Sequence, residues 1–83
     1  MTQEDIWNRL TNTFRDTFED DSLTIREQTS AADIPDWDSL RHIELLVAVE
    51  QQFRVRFNTG EVAGLKNVGE MVELIARKQR DVS

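Results

Sequence analysis

The sequence has no cysteine, one proline, one histidine and three glycines in 83 residues. Without cysteine there is no disulfide to staple the chain, no thiolate metal site and no protein thiol nucleophile. Any thiol chemistry must therefore be brought by a cofactor. No apolar run approaches the roughly 18 residues of a transmembrane helix. The start, Met1-Thr2-Gln3-Glu4-Asp5, lacks the basic beginning and apolar centre of a signal peptide. A cytoplasmic location without membrane insertion is expected. A basic excess is also missing: ten Lys and Arg stand against sixteen Asp and Glu, for a net charge of −6. Such a chain repels the phosphates of nucleic acid, so no nucleic-acid partner is expected. A single histidine and no cysteine leave neither a catalytic constellation nor a metal cluster, and no enzyme activity is expected. The length suits one small domain, residues 1–83, with a modest core and marginal stability.

What is present is helical periodicity and an uneven distribution of charge. Residues 1–38 hold ten acids and three bases, a net of −7, whereas residues 39–83 hold six acids and seven bases, a net of +1. The first helix is predicted from Gln3 to Phe18, with Thr2 and Asp5 as a capping pair. Ile6, Leu10, Phe14 and Phe18 recur every fourth residue as a buried stripe, with Trp7 beside them. The polar stretch from Glu19 to Asp38 is longer than most loops of compact domains. Leu23, Ile25, Ile34 and Trp37 can pin it, and partial order is expected.

The second helix is predicted from Ser39 to Phe53, with Asp38 as its N-cap. Leu45, Leu46, Val49 and Phe53 centre an apolar arc that Leu40, Ile43 and Val47 widen beyond what one core requires. Leu40 and Val47, at its edge, are expected to be exposed to a partner. Arg54-Val55-Arg56-Phe57 alternates like a strand but has no second strand to pair with. It reads as an extended connector with Val55 and Phe57 turned inward. Thr59 is expected to cap a short helical turn that ends near Gly64. A last helix, opened by Asn67 and Glu70 as a pair, buries Val68, Met71, Val72 and Ile75, with Leu74 flanking. Arg77, Lys78 and Arg80 suit its negative end. The fold class is all-α: a small bundle of three main helices plus a short third helix, with a long loop between the first two.

Asp38-Ser39-Leu40 draws attention because Ser39 falls at the first position of the second helix. Free N–H groups and the positive end of the helix dipole meet there. A phosphate esterified to that hydroxyl would be stabilised by both. The bland alternative is that a serine at a helix start is only a cap. His42, one turn on, invites reading as a base that activates Ser39. A partly buried histidine packed near Trp37, or donating to a loop carbonyl, explains it better. Trp7 and Trp37 read as packing residues, and Glu19-Asp20-Asp21 as a solvated turn without the ligand pattern of a calcium loop.

The run from Asp38-Ser39-Leu40 through Phe53 resembles the attachment motif of the acyl carrier proteins. There, an aspartate, the modified serine and a leucine open an amphipathic helix that ends in a phenylalanine. The likeness continues through Val55, Phe57, the short third helix and Val68 to Ile75, and extends to total length and the mid-chain serine. It implies that Ser39 accepts 4′-phosphopantetheine from coenzyme A through a separate magnesium-dependent phosphopantetheinyl transferase. The arm's thiol then holds an acyl group as a thioester and presents it to acyl-loading and acyl-transferring enzymes of fatty-acid, polyketide or related biosynthesis. Asp38 and Leu40 are implied contacts for the transferase and later partners, with Arg41, Glu44 and Val47 beside them on the second helix.

Two departures from the family pattern stand out. Ile34-Pro35-Asp36-Trp37 occupies a segment where the family commonly has a glycine, and the bulk of Trp37 implies different packing of the loop. Fatty-acid carriers of the family typically present an acidic second helix to basic patches. Here Arg41, Glu44, Ala48, Gln51 and Gln52 leave the outward face near neutral, with Arg41 expected to project outward. These features suggest a specialised carrier with dedicated partners; the length favours a discrete carrier, and a monomer is expected. An aminoacyl, peptidyl or D-alanyl load, or an unmodified helical interaction domain, remain the alternatives.

Overall fold

The computed structural model describes residues 2–82; Met1 and Ser83 lie outside the described residues. Four helices follow in order: α1 (Gln3–Phe18), α2 (Ser39–Phe53), α3 (Thr59–Ala63) and α4 (Val68–Val82). No strand occurs among the described residues. The chain folds as the all-α bundle expected from its periodicity.

Local chemistry sets each helix start. The Asp5 N–H donates to Thr2 Oγ1 at 3.2 Å and the Thr2 N–H donates to Asp5 Oδ2 at 3.3 Å, closing both halves of a capping box. Asp38 caps α2. Asn58, not Thr59, caps α3: its Oδ1 accepts the Glu61 N–H at 2.8 Å, and Glu61 Oε1 accepts the Asn58 N–H at 3.0 Å. The acid three residues after Asn58 completes a reciprocal pair that Thr59 cannot make, which moves the cap one residue earlier than expected. At α4, Asn67 Oδ1 accepts the Glu70 N–H as anticipated, but the Glu70 carboxylate reaches back to the N–H of Lys66. Two ends also share a device: Glu19 and Arg54 close α1 and α2 in the left-handed conformation, at φ 53° and 55°.

α1 lies against both α2 and α4. Ile6, Leu10, Phe14 and Phe18 meet Leu45, Val49 and Phe53 from α2 and Val68, Met71, Val72 and Ile75 from α4. Val55 is buried and Phe57 half-buried, so the connector turns its alternate residues inward. Leu74, flanking this stripe, is buried too.

The long loop is held throughout its length. Arg15 Nε donates to the Leu23 carbonyl at 2.8 Å, Ile34 is buried, and Leu23, Ile25 and Trp37 pack on the core. The loop also supplies the carbonyls of Thr29 and Glu27 to the N–H groups of Val68 and Gly69, at 2.8 and 2.9 Å. These are two of the donors that a helix start leaves unpaired, so residues 27–29 act as a backbone cap on α4. A Cβ at Gly69 would lie 2.9 Å from the Glu27 carbonyl oxygen. The approach of loop to helix therefore requires glycine there.

Candidate functional site around Ser39

Asp38 has an extended backbone, and its Oδ1 accepts the N–H of Arg41 at 2.9 Å. Its carbonyl accepts the N–H of His42, the first bond of α2. Ser39 is thus the first helical residue and not the cap. The Ser39 side chain is exposed, and its hydroxyl has no hydrogen-bond partner among the described residues. The amides of Ser39 and Leu40 also lack a partner among the described residues. Asp38 does the capping, which leaves a free hydroxyl and two free donors at the positive end of the helix.

The neighbourhood is built from the loop. Trp37 sets its ring edge-on to Phe14, with centroids 5.4 Å apart, and tilted against Phe18 at 6.1 Å. Its Nε1–H donates to His42 Nδ1 at 3.1 Å, and the two rings stack at 6.0 Å. His42 Nδ1 is thus the acceptor of this bond. With Nδ1 engaged by Trp37, His42 packs as expected and is not placed to serve Ser39 as a base. A groove of about 500 Å³ runs from Ser39 between α2 and the segment before α4, walled by Trp37, His42, Ile43, Leu65 and Met71.

Arg41 departs from expectation. Its guanidinium turns back across the bundle and donates to the Thr17 carbonyl at 2.9 Å, with Glu44 Oε2 at 3.4 Å. The Thr17 carbonyl is one of those left unpaired at the end of α1, and a cation there opposes the negative end of the dipole. The Glu44 pair follows from a spacing of three residues on one helix, but the Thr17 contact was not visible from local spacing, since Thr17 lies 24 residues away. Leu40 and Val47 are exposed as expected, at 64% and 47%, and Ile43 joins them at 60%. The spacing 40, 43, 47 is the signal for one helix face. In the acidic run, Asp20 Oδ1 accepts both the N–H and the hydroxyl of Ser22, which holds its carboxyl below the usual range. No group of three metal-ligating side chains occurs among the described residues.

No family model matches the chain. It is 30% identical over 79 residues to an acyl carrier protein of Lactobacillus acidophilus, covering 95% of this chain and 99% of that one. It is 33% identical over 76 residues to an acyl carrier protein of Acidothermus cellulolyticus, covering 92% and 90%. The chain belongs to the acyl carrier protein family. The fold agrees: the solution structure of the holo acyl carrier protein from Geobacter metallireducens superposes with a TM-score of 0.86 at 41% identity, over 90% of this chain and 86% of that one. These relatives are carrier proteins, not enzymes. The exposed serine at the head of α2 is not needed for capping, which Asp38 already performs.

Proposed function

We propose that residues 1–83 form one acyl carrier domain, with 4′-phosphopantetheine esterified to the Ser39 hydroxyl. The observation that carries this reading is the division of labour at the head of α2. Asp38 caps the helix, while Ser39 is exposed and uncommitted beside two unpaired amides. The residues fit the group. A phosphodiester at Ser39 meets the amides of Ser39 and Leu40 and the positive end of the dipole. The groove lined by Trp37, Ile43, Leu65 and Met71 offers an apolar surface next to it. When bound, the group supplies a thiol that this cysteine-free chain lacks, and an acyl load rides on it as a thioester.

The chain's own contribution is to hold the attachment point open and rigid. Trp37, locked between Phe14 and His42, fixes the backbone that enters Ser39. Asp38 and Leu40 flank the serine where the phosphopantetheinyl transferase approaches, and α2 is presented to the enzymes that load and unload the arm. No helix among the described residues is long and apolar enough to cross a membrane, and the protein is proposed to act in the cytoplasm as a monomer.

The test is intact mass before and after incubation with coenzyme A and a broad-specificity phosphopantetheinyl transferase. The chain should gain one phosphopantetheine, and Ser39→Ala should gain none while keeping its helix content. An unchanged mass, or modification that persists in Ser39→Ala, contradicts the assignment.

A further inference from the structure

With Arg41 tied to Thr17 and paired with Glu44, the uncommitted charge on α2 lies at its other end. Leu40, Ile43 and Val47 form an exposed apolar stripe that starts beside Ser39. Beyond Val47 the stripe opens on a shallow cavity of about 450 Å³, lined by Glu50, Gln51, Arg54, Val55 and Arg56 as well as Val47. Arg54 and Arg56 are exposed, and neither side chain has a partner among the described residues. The acid in the cavity is turned away from solvent: Glu50 is half-buried and its Oε2 accepts the Phe57 N–H at 2.8 Å. Gln51 and Gln52 add no charge. The surface offered to a partner is therefore an apolar stripe with a cationic end, on a chain whose net charge is −6.

We infer that this face docks a protein surface in which an apolar patch is bordered by carboxylates. Leu40, Ile43 and Val47 supply the apolar contact, and Arg54 and Arg56 pair with the acids. From Leu40 to Arg54 the helix spans about 20 Å, the scale of one helix laid along another. Arginine suits the task because its planar fork takes a carboxylate in two parallel bonds. A partner with a basic patch meets like charge at this end and is disfavoured. Anionic lipid would also attract two arginines, but the acids of residues 1–38 oppose approach to such a surface. That the docking partner acts on the Ser39 arm rests on the carrier reading above; the docking surface itself does not. The competing explanation is that the arginines only offset the negative end of α2. Reversing or removing them would then change stability and leave docking untouched.

The experiment titrates isotope-labelled full-length protein with a synthetic amphipathic helical peptide that carries leucines on one side and glutamates at its flanks. A twin peptide with lysines for the glutamates and phosphatidylglycerol vesicles are run in parallel, and amide shifts are followed by NMR. The acidic peptide should shift Leu40, Ile43, Val47, Arg54 and Arg56, and added salt should weaken it. Arg54→Gln/Arg56→Gln should bind it about five- to tenfold more weakly, and Arg54→Lys/Arg56→Lys should retain most of the affinity. Circular dichroism checks folding, and Arg56→Gln alone, outside the helix, serves if the double variant is damaged. Unchanged affinity in the glutamine variants, equal binding of the lysine twin to this face, or vesicle binding through the same arginines overturns the inference. Ser39→Ala should leave peptide docking unaltered, so a failure of modification at Ser39 and a failure of docking are separate results.

Discussion

Asp38, Ser39, Trp37 and Arg41 show how four neighbouring residues divide four tasks. Asp38 ends the loop by capping, which frees Ser39. Trp37 fixes the entry by joining the Phe14 and Phe18 rings to His42. Arg41 fastens the head of α2 to the end of α1. The capping aspartate, the exposed serine and the packed histidine were legible because each depends on neighbours within one helical turn. The Arg41 contact was not, because its partner is a backbone carbonyl on another helix, and main-chain acceptors leave no residue-type signal. Arg41→Ala should lower stability by about 1 kcal/mol through loss of a hydrogen bond to a partly exposed carbonyl, read by urea unfolding, while binding of the acidic peptide stays the same. Trp37→Phe keeps most of the packing but removes the donor to His42. A loss of about 0.5–1.5 kcal/mol is expected, and no loss would mean that the indole N–H contributes nothing to holding the loop.

At the scale of elements, helices α1, α2 and α4 were readable because their apolar residues follow the helical period and good capping residues stand before them. The errors lie where two capping residues compete or where the cap is not a side chain. Asn58 displaces Thr59 because Glu61 can return its hydrogen bond. The start of α4 is covered by the carbonyls of Glu27 and Thr29, which accept its N–H groups from a loop some forty residues earlier in the chain, and no sequence pattern announces that. Gly69→Ala tests this join: its Cβ would press on the Glu27 carbonyl, and a destabilisation of about 1–3 kcal/mol is expected from overpacking against backbone, measured by thermal unfolding. The short α3 is held differently. Glu61 Oε1 accepts from Lys78 Nζ at 2.7 Å, which ties α3 to α4. That hydrogen bond, together with the one from the Asn58 N–H, holds the Glu61 carboxyl below its ordinary value. A depressed carboxyl stabilises the fold above its ordinary value and loses that contribution as pH falls through the lowered one. Wild-type stability should thus decline on acidification more than that of Glu61→Gln. Parallel acid limbs in the two proteins would show that the Lys78 contact contributes nothing to stability.

As a whole, the molecule rests on one small apolar core to which α1, α2 and α4 each give a buried face. Domains of this size have little stability in reserve. Phe53, almost fully buried where α2 ends, is a point of failure: Phe53→Ala should cost about 3–5 kcal/mol, enough to bring much of the population to the unfolded state, as circular dichroism would register. Because the core is complete without a cofactor, the unmodified chain should show the same helix content with and without a chelator. A coil spectrum that becomes helical only on modification would contradict this. Arg54 and Arg56, exposed and with no side-chain partners among the described residues, stand just after α2. The Ser39 hydroxyl is exposed and makes no hydrogen bond among the described residues, and its modification is what the carrier reading requires. Peptide mapping by tandem mass spectrometry, after modification with coenzyme A and the transferase, tests it most directly. Phosphopantetheine should appear on the peptide that contains Ser39 and on no other. A cofactor mass on a peptide bearing Ser22 or Ser30, or no cofactor mass at all, would contradict it.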